Sequence, residues 1–500
     1  MRIKLWKAIH LACQKRKMSR RTFYTFNPKE NSFNTERYFC HTIEEVDVMI
    51  HGALKARPLL AIKTGREIHD LLALIKENLI SKKQEIAAMY HKESGLSEVR
   101  FEAEFNRTLN QLELFSKHII EPAYVSILDR KQELNGKLLV KKKIGIGPVL
   151  VLGASNFPLA YSTIGGDSVA ALAGKNPVVL KAHPFHTGTS TLVANAIQKA
   201  IKALSFPKHT FSHVIDDKHE LAAYIANSRC IKAIGFTGSQ KGGEALLKIA
   251  NNRKFPIPVF AEMGSSNPVI LLESVLKEDN DLLIQKITTS VCNDSGQFCT
   301  KPGLFFIPVN KDTISFIAKL KESIFKFPEQ PMLHPNIQQE FEKKTAILKQ
   351  TFGPDCFFQN NHLENSPEHF PKKSLLYTTC TNFTTFPFVQ EEIFGPHTSV
   401  FTYSSHKQLI ETLDKLNGQL TFSIFGSKEK DGTVLDTLIS IGTEKAGRII
   451  FNDLPTGVEV APAMHHGGPY PASSDSRFTA VGTDSIARFQ RSVTFQDFRI

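Results

Sequence analysis

The 500-residue chain holds a single tryptophan and only seven cysteines. An odd cysteine count, with no Cys-x-x-Cys pair and no regular spacing, excludes a disulfide framework and favours a reducing, cytoplasmic setting. Zinc-site spacing is missing too. His183 and His186 stand close together and His465 and His466 are adjacent, but neither pair has further Cys, His or carboxylate ligands at metal-site spacing, so no metal is expected. Long apolar runs are also absent, which excludes a membrane span. The basic opening stretch MRIKLWKAIHLACQKRKM is too broken for a secretory core. It reads as a transit segment or surface-seeking helix on one account, and as a poorly ordered extension or an overcalled start on the other. Net charge is +12, yet lysine and arginine are scattered. The tightest runs, 15–21 and 137–143, lack aromatic interleaving, a GxxG clamp or a zinc finger, which excludes nucleic acid as a partner. A generally positive field suits an anionic cofactor or substrate instead. Neither an internal repeat nor a low-complexity tract occurs.

What is present is a composition 41% hydrophobic and 22% charged, enough for two or three globular domains with substantial cores. Apolar residues at helical spacing fill 43–56, 65–76, 82–88 and 101–119, so the first third reads as mostly helical. Short alternating segments around Asn135-Gly136, between 128 and 146, mark a β-hairpin. From Gly147 strand and helix alternate: 149–152, 163–173, 177–181, 189–204, 211–215, 218–226, 233–236, 242–250 and 259–262. That pattern predicts a doubly wound parallel sheet. In such a sheet ligands sit at the carboxyl ends of the strands, so 154–156, 181–186 and 237–243 share one edge. A second α/β region follows from 268 to about 448, with strands at 303–308 and 396–403 and a helix at 312–325, and a late strand at 492–498 closes the chain.

One cysteine differs in setting from the rest. Cys299 lies three residues after Gly296 in the polar loop Asn-Asp-Ser-Gly-Gln-Phe-Cys-Thr-Lys-Pro-Gly. Cys13, Cys40, Cys230, Cys292, Cys356 and Cys380 sit among apolar, aromatic or basic neighbours, where a thiol is usually a small hydrophobe. The stretch Phe236-Thr237-Gly238-Ser239-Gln240-Lys241-Gly242-Gly243 follows a strand and opens a helix. It reads either as a phosphate cradle, with backbone N–H groups at a helix N-terminus, or as an unliganded glycine-rich turn.

Six ordered pieces then match one family: Gly153-Ala154-Ser155-Asn156-Phe157-Pro158, Val178-Val179-Leu180-Lys181, Phe236-Thr237-Gly238-Ser239, Glu262-Met263-Gly264, Gly296-Gln297-Phe298-Cys299 and Glu391-Glu392-Ile393-Phe394-Gly395-Pro396. From about Phe26 to Ile500 the chain resembles an aldehyde dehydrogenase. Within that superfamily, His466-Gly467-Gly468-Pro469-Tyr470-Pro471 through Arg477, Val481-Gly482-Thr483, and Arg107-Thr108-Leu109-Asn110-Gln111-Leu112 resemble the branch that includes α-ketoglutaric semialdehyde (2,5-dioxovalerate) dehydrogenase and also a fatty aldehyde dehydrogenase. Phe157 and Lys301 depart from the tryptophan and arginine that many members carry.

The resemblance implies a role for each matching residue. Cys299 attacks the aldehyde carbon and forms a thiohemiacetal, Asn156 and the Cys299 backbone N–H hold the oxyanion, and Glu262 activates the water that hydrolyses the thioester. Lys181, with Gly238, Ser239 and Gly243, holds the adenosine and phosphate end of a nicotinamide cofactor, and Glu392 and Phe394 hold its nicotinamide ribose and ring. NAD-preferring relatives often have a glutamate where this chain has Pro184, so with His183 close by the resemblance implies NADP, with use of both cofactors as the alternative. Arg107 and Gln111, on one helix face, are candidates for binding an anionic keto-aldehyde; Arg107 reads equally as a salt-bridge partner. The expected organisation is a basic extension at 1–25, a doubly wound cofactor-binding domain at 26–127 and 147–262, and an α/β catalytic domain at 263–450. A C-terminal segment near the active site follows at 451–484, and 128–146 with 485–500 form a β-ribbon oligomerisation element. The partners implied are a small-molecule aldehyde and further copies of the chain, as a homodimer or homotetramer. An acyl-CoA-forming dehydrogenase and a non-enzymatic binding protein on the same scaffold are the other readings; the presence of Glu262 speaks against the first, and the presence of all three reacting residues against the second.

Overall fold

Strands such as Val149–Leu152 and Val178–Lys181 are apolar along their whole length, a pattern that suits burial on both faces. In the computed structural model, which describes residues 20–276, 280–364 and 366–497, they form the middle of a five-stranded parallel sheet. Its order is Phe211–Val214, Val178–Lys181, Val149–Leu152, Ala233–Thr237, Val259–Glu262. The chain winds outward from Val149–Leu152 in one direction, then returns to build the other side. That reversal opens a crevice beyond the strand ends between Val149–Leu152 and Ala233–Thr237. The doubly wound expectation is met, and each predicted strand and helix of this unit is found within a few residues of its expected bounds.

The helices Ile43–Ala61, Gly65–Ser81, Lys83–Ser94 and Glu98–His118 pack on this unit. Thr42 with Glu45 and Thr64 with Glu67 form reciprocal capping boxes, which satisfy backbone donors at the starts of the first two. Glu98–His118 buries Phe101, Phe105, Leu112 and Phe115, and also the polar Glu104, Thr108 and Gln111. Of these, Glu104 accepts from Leu159 and Ala160 N–H, just beyond the Asn156 loop.

A second sheet of seven strands runs Phe357–Gln359, Ser374–Thr379, His397–Tyr403, Leu304–Pro308, Pro268–Leu271, Gln419–Phe425, Ala446–Phe451. It is parallel except for its first pair. A third sheet pairs Asp129–Leu134 with Lys137–Gly145 through a turn in which Asn135 and Gly136 both have positive φ, as the Asn-Gly signal requires. The late strand, observed at Gln490–Gln496, pairs with Lys137–Gly145.

One element is new. Thr22–Asn27 and Ser32–Phe39 form an antiparallel pair ahead of the first helix, so the extension drawn at 1–25 ends inside a strand. Residues 1–19 lie outside the described residues, as does the last residue of the strand expected at 492–498. No described helix is long and apolar enough to cross a membrane.

Candidate active site

Glu262 ends the edge strand of the five-stranded sheet. Beside that strand the C-terminal segment returns: Met263 N–H donates to Ala472 O, Ser474 N–H donates to Ala261 O, and Glu262 bridges Ser473. This added strand-like pairing delivers His466. Its Nδ1 lies 3.1 Å from Glu262 Oε2 and its Nε2 lies 3.8 Å from Cys299 Sγ. Thiol, imidazole and carboxylate offer atoms that all lie within 4.8 Å of one another. His466 and Glu262 are nearly fully buried, and neither oxygen of the Glu262 carboxylate has a hydrogen-bond partner among the described residues, so the approach of His466 is one of ion-pair distance. A proton on Nδ1, facing the carboxylate, leaves the Nε2 lone pair facing the thiol.

Cys299 is carried on an unusual turn. The helix Asp281–Cys292 runs into Asn293–Gly296, where Asp294, Ser295 and Gly296 have successive φ values of 48°, 53° and 64°. Ser295 Oγ donates to Gln330 O, and Asn267 Nδ2 donates to Cys299 O at 2.8 Å. Burial pushes the Cys299 thiol up, the Glu262 and Glu392 carboxylates push it further, and the Arg107 and Arg448 guanidiniums pull it back. The resting thiol is therefore neutral at pH 7, and reaction needs a proton acceptor within reach.

Asn156 follows the central strand Val149–Leu152. One N–H of its side-chain amide donates to Gln297 O at 2.8 Å, which leaves the second for another acceptor. Arg107 donates from Nη2 to Tyr161 Oη at 2.9 Å, and its guanidinium lies 4.7 Å over the Tyr161 ring. Its Nη1 is buried without a partner. Arg448 donates to the carbonyls of Gly457 and Pro455, and its Nε is likewise buried without a partner. Gln111 is buried on the same helix as Arg107. Two cations with spare donors thus lie within electrostatic range of Cys299.

At the other end of the crevice, Lys181 ends its strand nearly buried, and burial lowers its ammonium's affinity for the proton while Asp216, Asp217 and Cys40 oppose that shift. Arg21 pairs with both aspartates. Asp216 Oδ2 is buried without a partner. His183 Nδ1 accepts from Phe185 N–H and caps the short Pro184–His186 turn, while its ring stacks on His186. Ser239 caps Gln240–Asn251, its Oγ accepting from Gly242 N–H. A side chain at Gly243 would meet Met263, so that glycine lets the helix lie close to the edge strand; one at Gly238 would meet the Phe236 ring. Glu392, in the loop before His397–Tyr403, is pushed up to about 7 by burial, with Lys301 and Lys344 opposing. Phe394 follows in the same loop. Lys301, lowered to about 8 by burial, donates to His397 O.

The structure brings Cys299 and Glu262 together around a residue not among the expected site residues, His466. Adjacent histidines in a glycine- and proline-rich loop give no metal or triad spacing; membership in the His466–Arg477 motif was the only signal. Arg448 and Asp216 carried none. Lys181, the unpartnered oxygen of Asp216 and the Ser239-capped helix lie at or just beyond the carboxyl ends of the parallel strands, the edge where a ligand with a ribose and a phosphate is expected.

Residues 15–479 match the sequence model of the aldehyde dehydrogenase family. The chain is 38% identical to alpha-ketoglutaric semialdehyde dehydrogenase of Acinetobacter baylyi, covering 91% of this chain and 87% of the relative. It is 34% identical to alpha-ketoglutaric semialdehyde dehydrogenase 2 of Azospirillum brasilense, covering 89% and 84%. Among solved structures, the betaine aldehyde dehydrogenase of Staphylococcus aureus in complex with NAD+ superposes with a TM-score of 0.80 at 16% identity, covering 95% of this chain and 91% of that one, a likeness of fold.

Proposed function

The chain belongs to the aldehyde dehydrogenase family, and from that premise we propose that it oxidises 2,5-dioxovalerate to 2-oxoglutarate with NADP as preferred cofactor. The observation that carries the reading is the convergence of Cys299, His466 and Glu262. His466 Nε2 takes the thiol proton as Sγ bonds the aldehyde carbon, and Glu262 steadies the imidazolium through Nδ1. The oxygen of the thiohemiacetal gains charge beside the free Asn156 N–H and the Cys299 backbone N–H. One such donor is typically worth about 3 kcal/mol of barrier. Glu392 and Phe394 would hold the nicotinamide end of a cofactor and Lys181 its adenosine end, and the cofactor, when bound, would supply the hydride acceptor that oxidises the thiohemiacetal to a thioester. Glu262 then takes a proton from water as it attacks the thioester, which releases the acid and the Cys299 thiolate.

Three features support the substrate. The relatives with the highest identities quoted above are named for this semialdehyde. The buried, unpaired donors of Arg107 and Arg448 suit the 2-oxo acid end of a short anion. The same two cations disfavour the tail of a long-chain aldehyde, whose burial leaves them unpaired.

NADP is favoured by the lack of a carboxylate at Pro184. A second reading, NAD use, is favoured by the free Asp216 oxygen beside Lys181, which suits a ribose hydroxyl and repels a 2′-phosphate. Calorimetric titration of both cofactors, with initial rates on 2,5-dioxovalerate and decanal, tests the whole reading. The expected result is tighter binding of NADP, higher kcat/KM for 2,5-dioxovalerate and no oxidation by Cys299→Ala. Preference for NAD would transfer the cofactor role to Asp216, preference for decanal would overturn the substrate, and an active Cys299→Ala would overturn the mechanism.

A further inference from the structure

Arg100 lies in the first turn of Glu98–His118, far in sequence from every reacting residue. Its side chain is only 11% exposed, and its guanidinium makes three separate contacts. Nε donates to Asp294 Oδ2 at 2.9 Å, Nη1 to Glu104 Oε2 at 3.1 Å and Nη2 to the Asn156 main-chain oxygen at 3.2 Å. The guanidinium carbon stands 4.2 Å from the centroid of Phe157 and 5.3 Å from that of Phe298. Those phenylalanines are the neighbours of Asn156 and Cys299.

The contacts close a ring. Arg100 bonds the Asp294 carboxylate; the Asp294 carbonyl accepts from Gln297 N–H at 3.2 Å and from Gln297 Nε2 at 2.9 Å; the Gln297 carbonyl accepts from Asn156 Nδ2; and the Asn156 carbonyl accepts from Arg100. Around that ring lie the residues proposed to supply both oxyanion donors, the Asn156 amide and the backbone N–H two residues beyond Gln297. Asp294 and Ser295 hold left-handed backbone that non-glycine residues enter at a cost. Glu104 secures the other flank, its Oε1 accepting from Leu159 and Ala160 N–H and its Oε2 from Tyr90 Oη–H.

We propose that Arg100 is the positioning residue of the oxyanion site: it locks the Asn156 loop to the Cys299 loop so that two donors on separate segments point at one oxygen. The proposal rests on the aldehyde-oxidation reading. Only a planar cation with several donors can reach Asp294, Glu104 and Asn156 at once while lying against two rings; a lysine ammonium has the charge without that geometry. Without Arg100, the Asp294 and Glu104 carboxylates lose their shared counter-charge in a buried place.

The test is single-turnover reduction of cofactor at saturating enzyme, because that rate constant reports competent sites alone. Arg100→Met is expected to lower it by about a hundred- to a thousandfold, the range set by loss of one oxyanion donor, with Kd for the cofactor and the rate of Cys299 alkylation changed less than about twofold. Arg100→Lys is expected to fall between. Asp294→Asn opens the ring from its other side and is expected to slow the same step, with the double variant no slower than Arg100→Met. A wild-type rate constant in Arg100→Met, with only melting temperature or amplitude reduced, makes Arg100 structural and overturns the proposal. Should Arg100→Met fail to fold, a wild-type rate constant in Asp294→Asn overturns it equally. A wild-type protein that never reduces cofactor overturns the oxidation reading, and this one with it, whereas a wild-type rate that survives both substitutions overturns this one alone.

Discussion

Cys299 and Glu262 are recognisable in the sequence because each sits in a short local motif. His466 is not, because 167 residues separate it from Cys299 and only the docking of the C-terminal segment on the edge strand joins them. Its effect is open to measurement through pH. The Cys299 thiol is raised by burial and by two carboxylates, so it is neutral at pH 7 and its thiolate fraction grows as pH rises. In the proposed mechanism, proton transfer to His466, 3.8 Å from the thiol, makes attack possible at neutral pH. In His466→Ala the reactive fraction depends on solvent hydroxide alone, and kcat/KM should climb about tenfold per pH unit across the neutral range. At pH 7 the expected loss is about 10²- to 10⁴-fold, shrinking as pH is raised. Parallel pH profiles for wild type and variant would remove His466 from the proton path. Alkylation of Cys299 by iodoacetamide should show the same pH dependence without any substrate.

Among the elements, the parallel strands are legible because burial on both faces leaves an uninterrupted apolar run, and the Asn135-Gly136 hairpin because two successive left-handed residues all but demand that dipeptide. The pair Thr22–Asn27 and Ser32–Phe39 is harder to see. Its aromatic and β-branched residues have strand character, yet much of it is exposed, and it adjoins the basic opening stretch. The turn before Cys299 lies between these cases. Gly296 is visible as a turn residue, but the reason for it is tertiary: φ is 64°, and a side chain there would collide with the Gly395 carbonyl oxygen of the loop bearing Glu392 and Phe394. Gly296→Ala should therefore lower stability by at least about 1–2 kcal/mol from the left-handed conformation alone, with further loss from the backbone collision. Denaturant unfolding checks this. An unchanged midpoint, with an unchanged slope, would mean that the turn has another conformation.

For the whole molecule, Asp129–Leu134 is exposed along its full length at the rim of the three-stranded sheet. An uncovered strand edge of this kind is a template for pairing with another chain. In solution the protein should run as a homodimer or homotetramer, so light scattering should give a mass at least twice the 55.9 kDa of one chain. A Gln132→Pro substitution in that strand should shift the population toward monomer. A wild-type mass of one chain would overturn the assembly.

The sequence by itself determined the family, the doubly wound unit, the hairpin and the residues proposed as nucleophile and general base, because each is written in local periodicity or in a contiguous motif whose chemistry depends on neighbours along the chain. Tertiary structure alone decided which side chains surround them. His466 reaches Cys299 through strand pairing at Ser473, Asp216 comes within electrostatic range of Lys181 because it follows the strand Phe211–Val214 that pairs with Val178–Lys181, and Arg100 joins Asn156 to Asp294 because one buried guanidinium has donors enough for three separate segments. Such contacts depend on distances through space, for which spacing along the chain carries no code.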